Sequence, residues 1–158
     1  MDQFTRRIVG FGVLRGIVDG LALCRMFNRT IRGKTLPRYL SSDHDPVYRF
    51  HQWQANLRVL EVLEIKTVPY VPLSHPFMER LIGTIRREYL DQTLFWTVAD
   101  LEAKLLGFQH YYNGHRTHAG LYGRIPEPSL EVDRSRATFS SYRWQRHCGG
   151  LYQTPTVA

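Results

Sequence analysis

The sequence predicts an α/β fold, and three observations lead there: short β-patterned runs alternate with amphipathic helical segments, a pair of helices follows the last run, and no internal repeat, low-complexity stretch or linker divides the chain. At 158 residues one domain is expected, with a single core of two or three layers. RRIVGFGVL (6–14) alternates Val9, Phe11 and Val13 with small residues, as a strand whose glycines admit a close neighbour. Asp19 stands as an N-cap before a helix reaching Arg32, with Leu23, Cys24, Phe27 and Ile31 on one face and Gly33 as the stop. LPRYLSSD supplies a short strand over 38–42. FHQWQANLRVLEVL (50–63) spaces Phe50, Trp53, Leu57 and Leu60 as a helix, and EIKTVPY (64–70) is a strand ended by prolines.

A third helix is predicted over 75–94, with Met78, Leu81, Ile82, Ile85 and Tyr89 facing the core. Thr97 with Asp100 resembles a capping box opening a fourth, with Leu101, Leu105, Phe108 and Tyr112 inward and Asn113-Gly114 at its end. Beyond Pro126 the chain turns polar and arginine-rich. The expected division is a core over 1–128 and a polar, basic extension over 129–158.

Composition narrows the function. Hydrophobic content of 43% with 22% charge is that of an ordinary globular chain. No apolar run approaches the roughly 20 residues that span a bilayer, and no export signal is legible, so a cytoplasmic protein without a membrane partner is expected. Cys24 and Cys148 stand far apart in no zinc-like pattern. The net charge is +7, and eighteen of the 21 basic residues are arginines, whose planar fork suits phosphate. Charge of this kind makes nucleic acid a candidate partner, and a site is needed to turn that into a function.

Catalytic sites of open α/β sheets lie beyond the carboxyl ends of strands, where Asp43 falls. Asp45, directly before Pro46, reads as a turn or cap residue, and His44 as pointing to solvent or into a turn. Glu79 follows Asp43 by thirty-six positions in the first turns of the third helix. Arg86 lies two helical turns further on the same face, with Gly83 between them. The carboxylate is suited to a metal and the arginine to a DNA backbone, while a solvated Glu79 pairing with Arg80 or Arg86 is the alternative that spacing alone favours.

Four segments in order, MDQFTRRIVGFGV, YLSSDHDPVYRF, PYVPLSHPFMERLIGTIRREYLD and YYNGHRTHAGL, resemble the catalytic core of bacterial insertion-sequence transposases and retroviral-type integrases, the DDE recombinases of ribonuclease-H-like fold. The resemblance reaches to about Pro128. It implies DNA integration or transposition by polynucleotidyl transfer, with Asp43 and Glu79 as metal-holding catalytic carboxylates and magnesium or manganese as cofactor. It implies DNA contact for Arg86, with His75, Arg80, Arg87, Arg116 and His118 as further candidates; for Arg116 and His118, bracing of the glutamate helix is the preferred of the two roles. Transposon ends and target DNA are the implied partners, and a homo-oligomer the implied form at full length, in a bacterial cytoplasm.

His75 stands where the family commonly carries Asn or Gln. The family's first catalytic aspartate, on a first and central strand, matches no residue here, since Asp2 precedes the T-R-R turn and Asp19 caps a helix. The fold is therefore expected to lack that strand, and the chain to be an inactive or incomplete fragment. Two other readings remain: a non-catalytic DNA-binding protein that inhibits transposition, and a ribonuclease-H-like nuclease.

Overall fold

In the computed structural model the described residues are 1–67, 76–127 and 142–157. They form two compact units, Gly10–Val98 and the combination of Met1–Val9 with Ala99–Ala158.

The first unit is built on a β-α-β turn of chain. Helix α1 (Gly20–Ile31) starts at Asp19, whose carboxylate accepts from Ala22 N at 2.7 Å, the cap expected from sequence. Gly20 is glycine because α1 starts against the entry to the next helix: a Cβ there would lie 2.8 Å from Phe50 Cβ. Strand β1 (Tyr39–Ser42) leads through a 3-10 turn (Pro46–Arg49) into α2 (His51–Val59), and strand β2 (Leu63–Lys66) returns parallel to β1, pairing Tyr39 with Leu63 and Ser42 with Lys66. Cys24, Trp53, Leu57 and Val62 form the buried cluster, with Phe27 edge-on to Trp53 at 5.2 Å. Full burial of a side chain such as Leu57 contributes about 2 kcal/mol. The amides of Asn28 and Asn56 exchange hydrogen bonds of 2.9 and 3.0 Å between α1 and α2.

Helix α2 stops short of the predicted Leu63. Val62 N donates to Leu57 O (2.9 Å) and Glu61 N to Arg58 O (3.1 Å), the paired bonds of a Schellman ending, with Glu61 left-handed at φ 56°. No glycine marks this stop. Helix α3 (Pro76–Glu88) likewise ends earlier than the predicted residue 94, because the chain tightens into a 3-10 turn over Leu90–Gln92, and Gln92 Nε2 closes on Arg87 O at 3.0 Å. Its buried stripe is narrower than the pattern suggests: Leu81, Ile85 and Tyr89 are buried, one every four residues, while Ile82 is 51% exposed on the flank.

The predicted strand over 6–14 does not form. The segment has no ladder partner among the described residues, since the sheets there are the pairs β1–β2 and β3–β4. The close approach expected of its glycines is present, since a Cβ on Gly10 would lie 2.7 Å from Thr30 of α1.

The second unit centres on α4 (Val98–Gly114), which buries Leu105, Phe108, Tyr112 and Asn113. The expectation that Asn113 caps this helix is replaced by a tether. Its Oδ1 accepts from Ile8 N (2.9 Å) and its Nδ2 donates to Ile8 O (3.0 Å). The C-terminal residues form an antiparallel hairpin of β3 (Tyr142–His147) and β4 (Tyr152–Val157), whose turn places Cys148, Gly149 and Gly150 at positive φ. Tyr152 stacks on Tyr111 of α4, with centroids 4.3 Å apart and planes 4° from parallel. No helix among the described residues is long and apolar enough to cross a membrane.

Candidate functional site: two carboxylates and an arginine helix

Asp43 follows the last residue of β1 and is exposed. Its position is set by the loop around it. Thr67 N donates to Ser42 O (3.0 Å), extending the ladder by one rung; His44 Nε2 donates to Thr67 O (2.7 Å); and Asp43 Oδ1 accepts from Asp45 N (3.0 Å). His44 is thus tied to the end of β2, where the sequence left it to solvent or a turn. Asp45 accepts from Val47 N at 2.9 Å with Pro46 at the first position of the 3-10 turn, the capping role its neighbour predicts.

Beneath this loop lies a group the sequence reading missed. Glu64 of β2 accepts from Ser42 Oγ (2.6 Å), Lys66 Nζ (2.8 Å), Gln54 Nε2 (2.7 Å) and Trp53 Nε1 (3.3 Å), so its carboxylate joins β1, α2 and β2 one residue below Asp43. Burial alone would raise the Glu64 pKa; the hydrogen bonds from Lys66, Ser42, Gln54 and Trp53 overcome it and hold the group at about 2. The available signal was the E-x-K alternation in β2, which places both side chains on one face. Nearby, burial first, and then the charges of Asp43, Asp45 and Glu64, push the Tyr48 phenol up. Three carboxylates therefore act on one phenol in a chain of net charge +7.

Glu79 lies in the first turn of α3 and Arg86 and Arg87 in its last. Glu79, Arg80, Arg86 and Arg87 are all exposed. The Arg87 guanidinium folds back over Gly83, where a Cβ would meet Nη1 at 3.0 Å. His75 lies outside the described residues. Arg116 and His118 belong to the second unit, and both hold Tyr112: the Arg116 guanidinium lies 5.6 Å from its ring centroid, His118 packs edge-on at 4.5 Å, and Arg116 Nη1 donates to His118 Nδ1 at 3.2 Å. Asp2, set aside as a ligand in the sequence, has both oxygens engaged in a turn, by Phe4 N (2.9 Å) and Thr5 Oγ1 (2.5 Å).

Among the described residues no group of three or more His, Cys, Asp and Glu side chains gathers as a metal holder. Asp43 and Glu79 fit a hard divalent cation in kind, through carboxylate oxygen, and fall short of a full site in number.

Residues 63–126 match the family described as the Integrase core domain. An uncharacterized 31.7 kDa protein of insertion element IS407 from Burkholderia multivorans is 28% identical over 142 residues, covering 87% of this chain and 49% of that protein. The transposase for insertion sequence element IS904 of Lactococcus lactis is 25% identical, covering 80% and 51%. The chain thus spans about half the length of these curated relatives. Among solved structures, the catalytic core domain of BIV integrase superposes with a TM-score of 0.59 at 20% identity, over 79% of this chain and 78% of that one.

The fold is α/β and ribonuclease-H-like. Over residues 63–126 the chain is similar to the integrase core domain family, and over most of its length to proteins of bacterial insertion elements.

Proposed function

We propose that this chain is the catalytic-core portion of an insertion-sequence transposase of the bacterial cytoplasm, which acts on the DNA of element ends and target. Asp43 and Glu79 are its metal-holding carboxylates, and Arg86, with Arg80 and Arg87, its phosphate contacts. The observation that carries this reading is the pinned loop at the end of β1, which holds an exposed Asp43 at the strand terminus by three hydrogen bonds. A divalent cation bound there, magnesium or manganese, supplies charge neutralisation at a phosphoryl centre. The chain's own residues position it: the Glu64 network fixes the floor under Asp43, and the α3 arginines attract the phosphodiester backbone along an exposed face.

Since only Asp43 and Glu79 match the acidic positions of the DDE pattern, the site is proposed to be incomplete and the chain alone to nick element ends inefficiently. Titration with manganese, read by electron paramagnetic resonance, tests the ligand assignment. Weak binding that is lost in both Asp43→Asn and Glu79→Gln supports it, and binding unchanged in both variants removes it. A nicking assay on element-end DNA with magnesium or manganese tests the other half, and efficient 3'-end nicking would refute the incomplete-site reading.

A second reading, a non-catalytic DNA-binding protein acting as an inhibitor, is favoured by the exposed arginines of α3 alone. It expects DNA affinity to fall steeply with salt and to be indifferent both to added manganese and to Asp43→Asn.

A further inference from the structure

The β3–β4 hairpin lies outside the residues that match the integrase core domain and has two unlike faces. Cross-strand pairing sets His147 against Tyr152 and Gln145 against Thr154 on one face, and Arg146 against Gln153 and Trp144 against Pro155 on the other. The first face is occupied. Tyr152 stacks on Tyr111, His147 lies 5.5 Å from Tyr111 and 4.0 Å from His115 between ring centroids, and the His147 ring nitrogen bonds Thr154 Oγ1 at 2.8 Å. These contacts fix the hairpin on α4 and turn Tyr142, Trp144 and Arg146 outward.

The outward face is aromatic and basic. Trp144 is 65% and Tyr142 42% exposed, Arg146 is exposed beside them, and Arg143 is exposed in the same strand. Between Tyr142 and Val157 there is no aspartate or glutamate. A large exposed indole is a candidate contact surface, and arginines in a hairpin whose own residues include no acid favour an anionic cover. Pro155 opposite Trp144 adds a rigid apolar surface on the same face. Two flat aromatic rings followed by an arginine along one face of a strand match the two parts of an unpaired nucleotide, whose base stacks and whose phosphate takes the guanidinium.

We infer that the outward face of the β3–β4 hairpin is a stacking platform for single-stranded nucleic acid, with Trp144 and Tyr142 as base-stacking residues and Arg146 as the phosphate contact. The inference goes beyond the transfer reading and does not rest on it. In a duplex the base faces are already covered, so the platform takes strands that are unpaired or opened.

The test is fluorescence anisotropy of the full chain with labelled oligothymidylate of about 20 nucleotides, oligouridylate of the same length, and a duplex. Trp144→Ala is expected to weaken single-strand binding about tenfold, as the loss of one stacked base does, with Trp144→Phe retaining most of the affinity and duplex binding changing by less than about twofold. Equal weakening with thymidylate and uridylate places the recognition in the base face; loss confined to one of them adds a sugar contact to the same platform. Since Trp144 is exposed, the variant should keep its thermal transition. A Trp96→Phe background leaves Trp144 and the buried Trp53, and the part of its emission that binding quenches, absent when Trp144→Ala is added, supplies a second readout.

Single-strand affinity unchanged in Trp144→Ala overturns the inference. So does an equal loss for the duplex, which would make the ribbon a groove reader. A change in sedimentation of the unliganded protein on Trp144→Ala would assign the face to a protein contact instead, and equally overturn it. Manganese binding is expected to be the same in Trp144→Ala as in wild type, so failure of the metal assignment and failure of the platform are separately visible.

Discussion

Ser42 and Glu64 share a hydrogen bond of 2.6 Å across the β1–β2 pair, and the carboxylate that accepts it also collects Lys66, Gln54 and Trp53. The exposed Asp43 is the next residue along the chain from Ser42. Its placement therefore depends on a carboxylate that takes no part in the proposed chemistry.

Glu64→Gln is expected to lower stability by about 2–3 kcal/mol, because the folded protein holds this group ionised far below its ordinary range. The sign follows from a depressed carboxylate: the contribution is fully present above the unfolded pKa of about 4.5 and is lost as pH falls through the folded value of about 2. Denaturant titrations at pH 7 and pH 3 check this. The difference in stability between wild type and Glu64→Gln should shrink on acidification, and a constant difference would rule the account out.

A second acid effect is expected at the hairpin, higher on the pH scale. Burial lowers the pKa of His115, and burial followed by the charge of His115 lowers that of His147. Histidines depressed in the folded state stabilise it fully above the unfolded value of 6.5, and that contribution fades as pH falls below it. Amide exchange in residues 142–157 should accelerate below pH 6.5 relative to α2, and His147→Gln should flatten that dependence.

Asn113→Ala should cost about 2–3 kcal/mol, since it leaves the Ile8 N–H and carbonyl without the partners they have in the folded state. Asn113→Asp offers a sharper check. It keeps the acceptor for Ile8 N and deletes the donor to Ile8 O, so a carboxylate faces a carbonyl. It should be at least as damaging as alanine, whereas near-wild-type thermal stability would show that the tether is dispensable.

Glu61→Gly is expected to stabilise the chain by about 0.5–1 kcal/mol. Glu61 occupies the left-handed region at φ 56°, where a Cβ is penalised, and its side chain is exposed. A rise in the thermal midpoint checks it; a fall would mean that the Glu61 side chain contributes a contact worth more than the strain.

Features that arise from local chain chemistry were legible in the sequence. The Asp19 cap, the Asp45-Pro46 turn and the helices with apolar residues at intervals of three and four all express rules acting over a few residues. The elements misread depend on partners distant in sequence. Residues 6–14 have the alternation of a strand and no ladder partner among the described residues, and alternation cannot report a missing ladder. Glu64 has no legible role in the sequence, because its partners Ser42, Gln54 and Trp53 come to it from twenty-two, ten and eleven positions away. The hairpin escaped because Tyr142 to Val157 carries strand residues without a hydrophobic face of its own, and its inner side is matched to rings on α4.

The paired bonds between Asn113 and Ile8 also bear on how the N-terminal residues can vary. A carboxamide has the donor and acceptor of a peptide group, so one side chain on a helix imitates a single rung of a sheet, and it reads only backbone. Position 8 is therefore free to exchange one apolar side chain for another of similar bulk. An insertion or deletion between Met1 and Ile8 shifts which peptide unit meets the amide, and a proline at position 8 abolishes the donor altogether. Substitution should be tolerated there far better than any change of length.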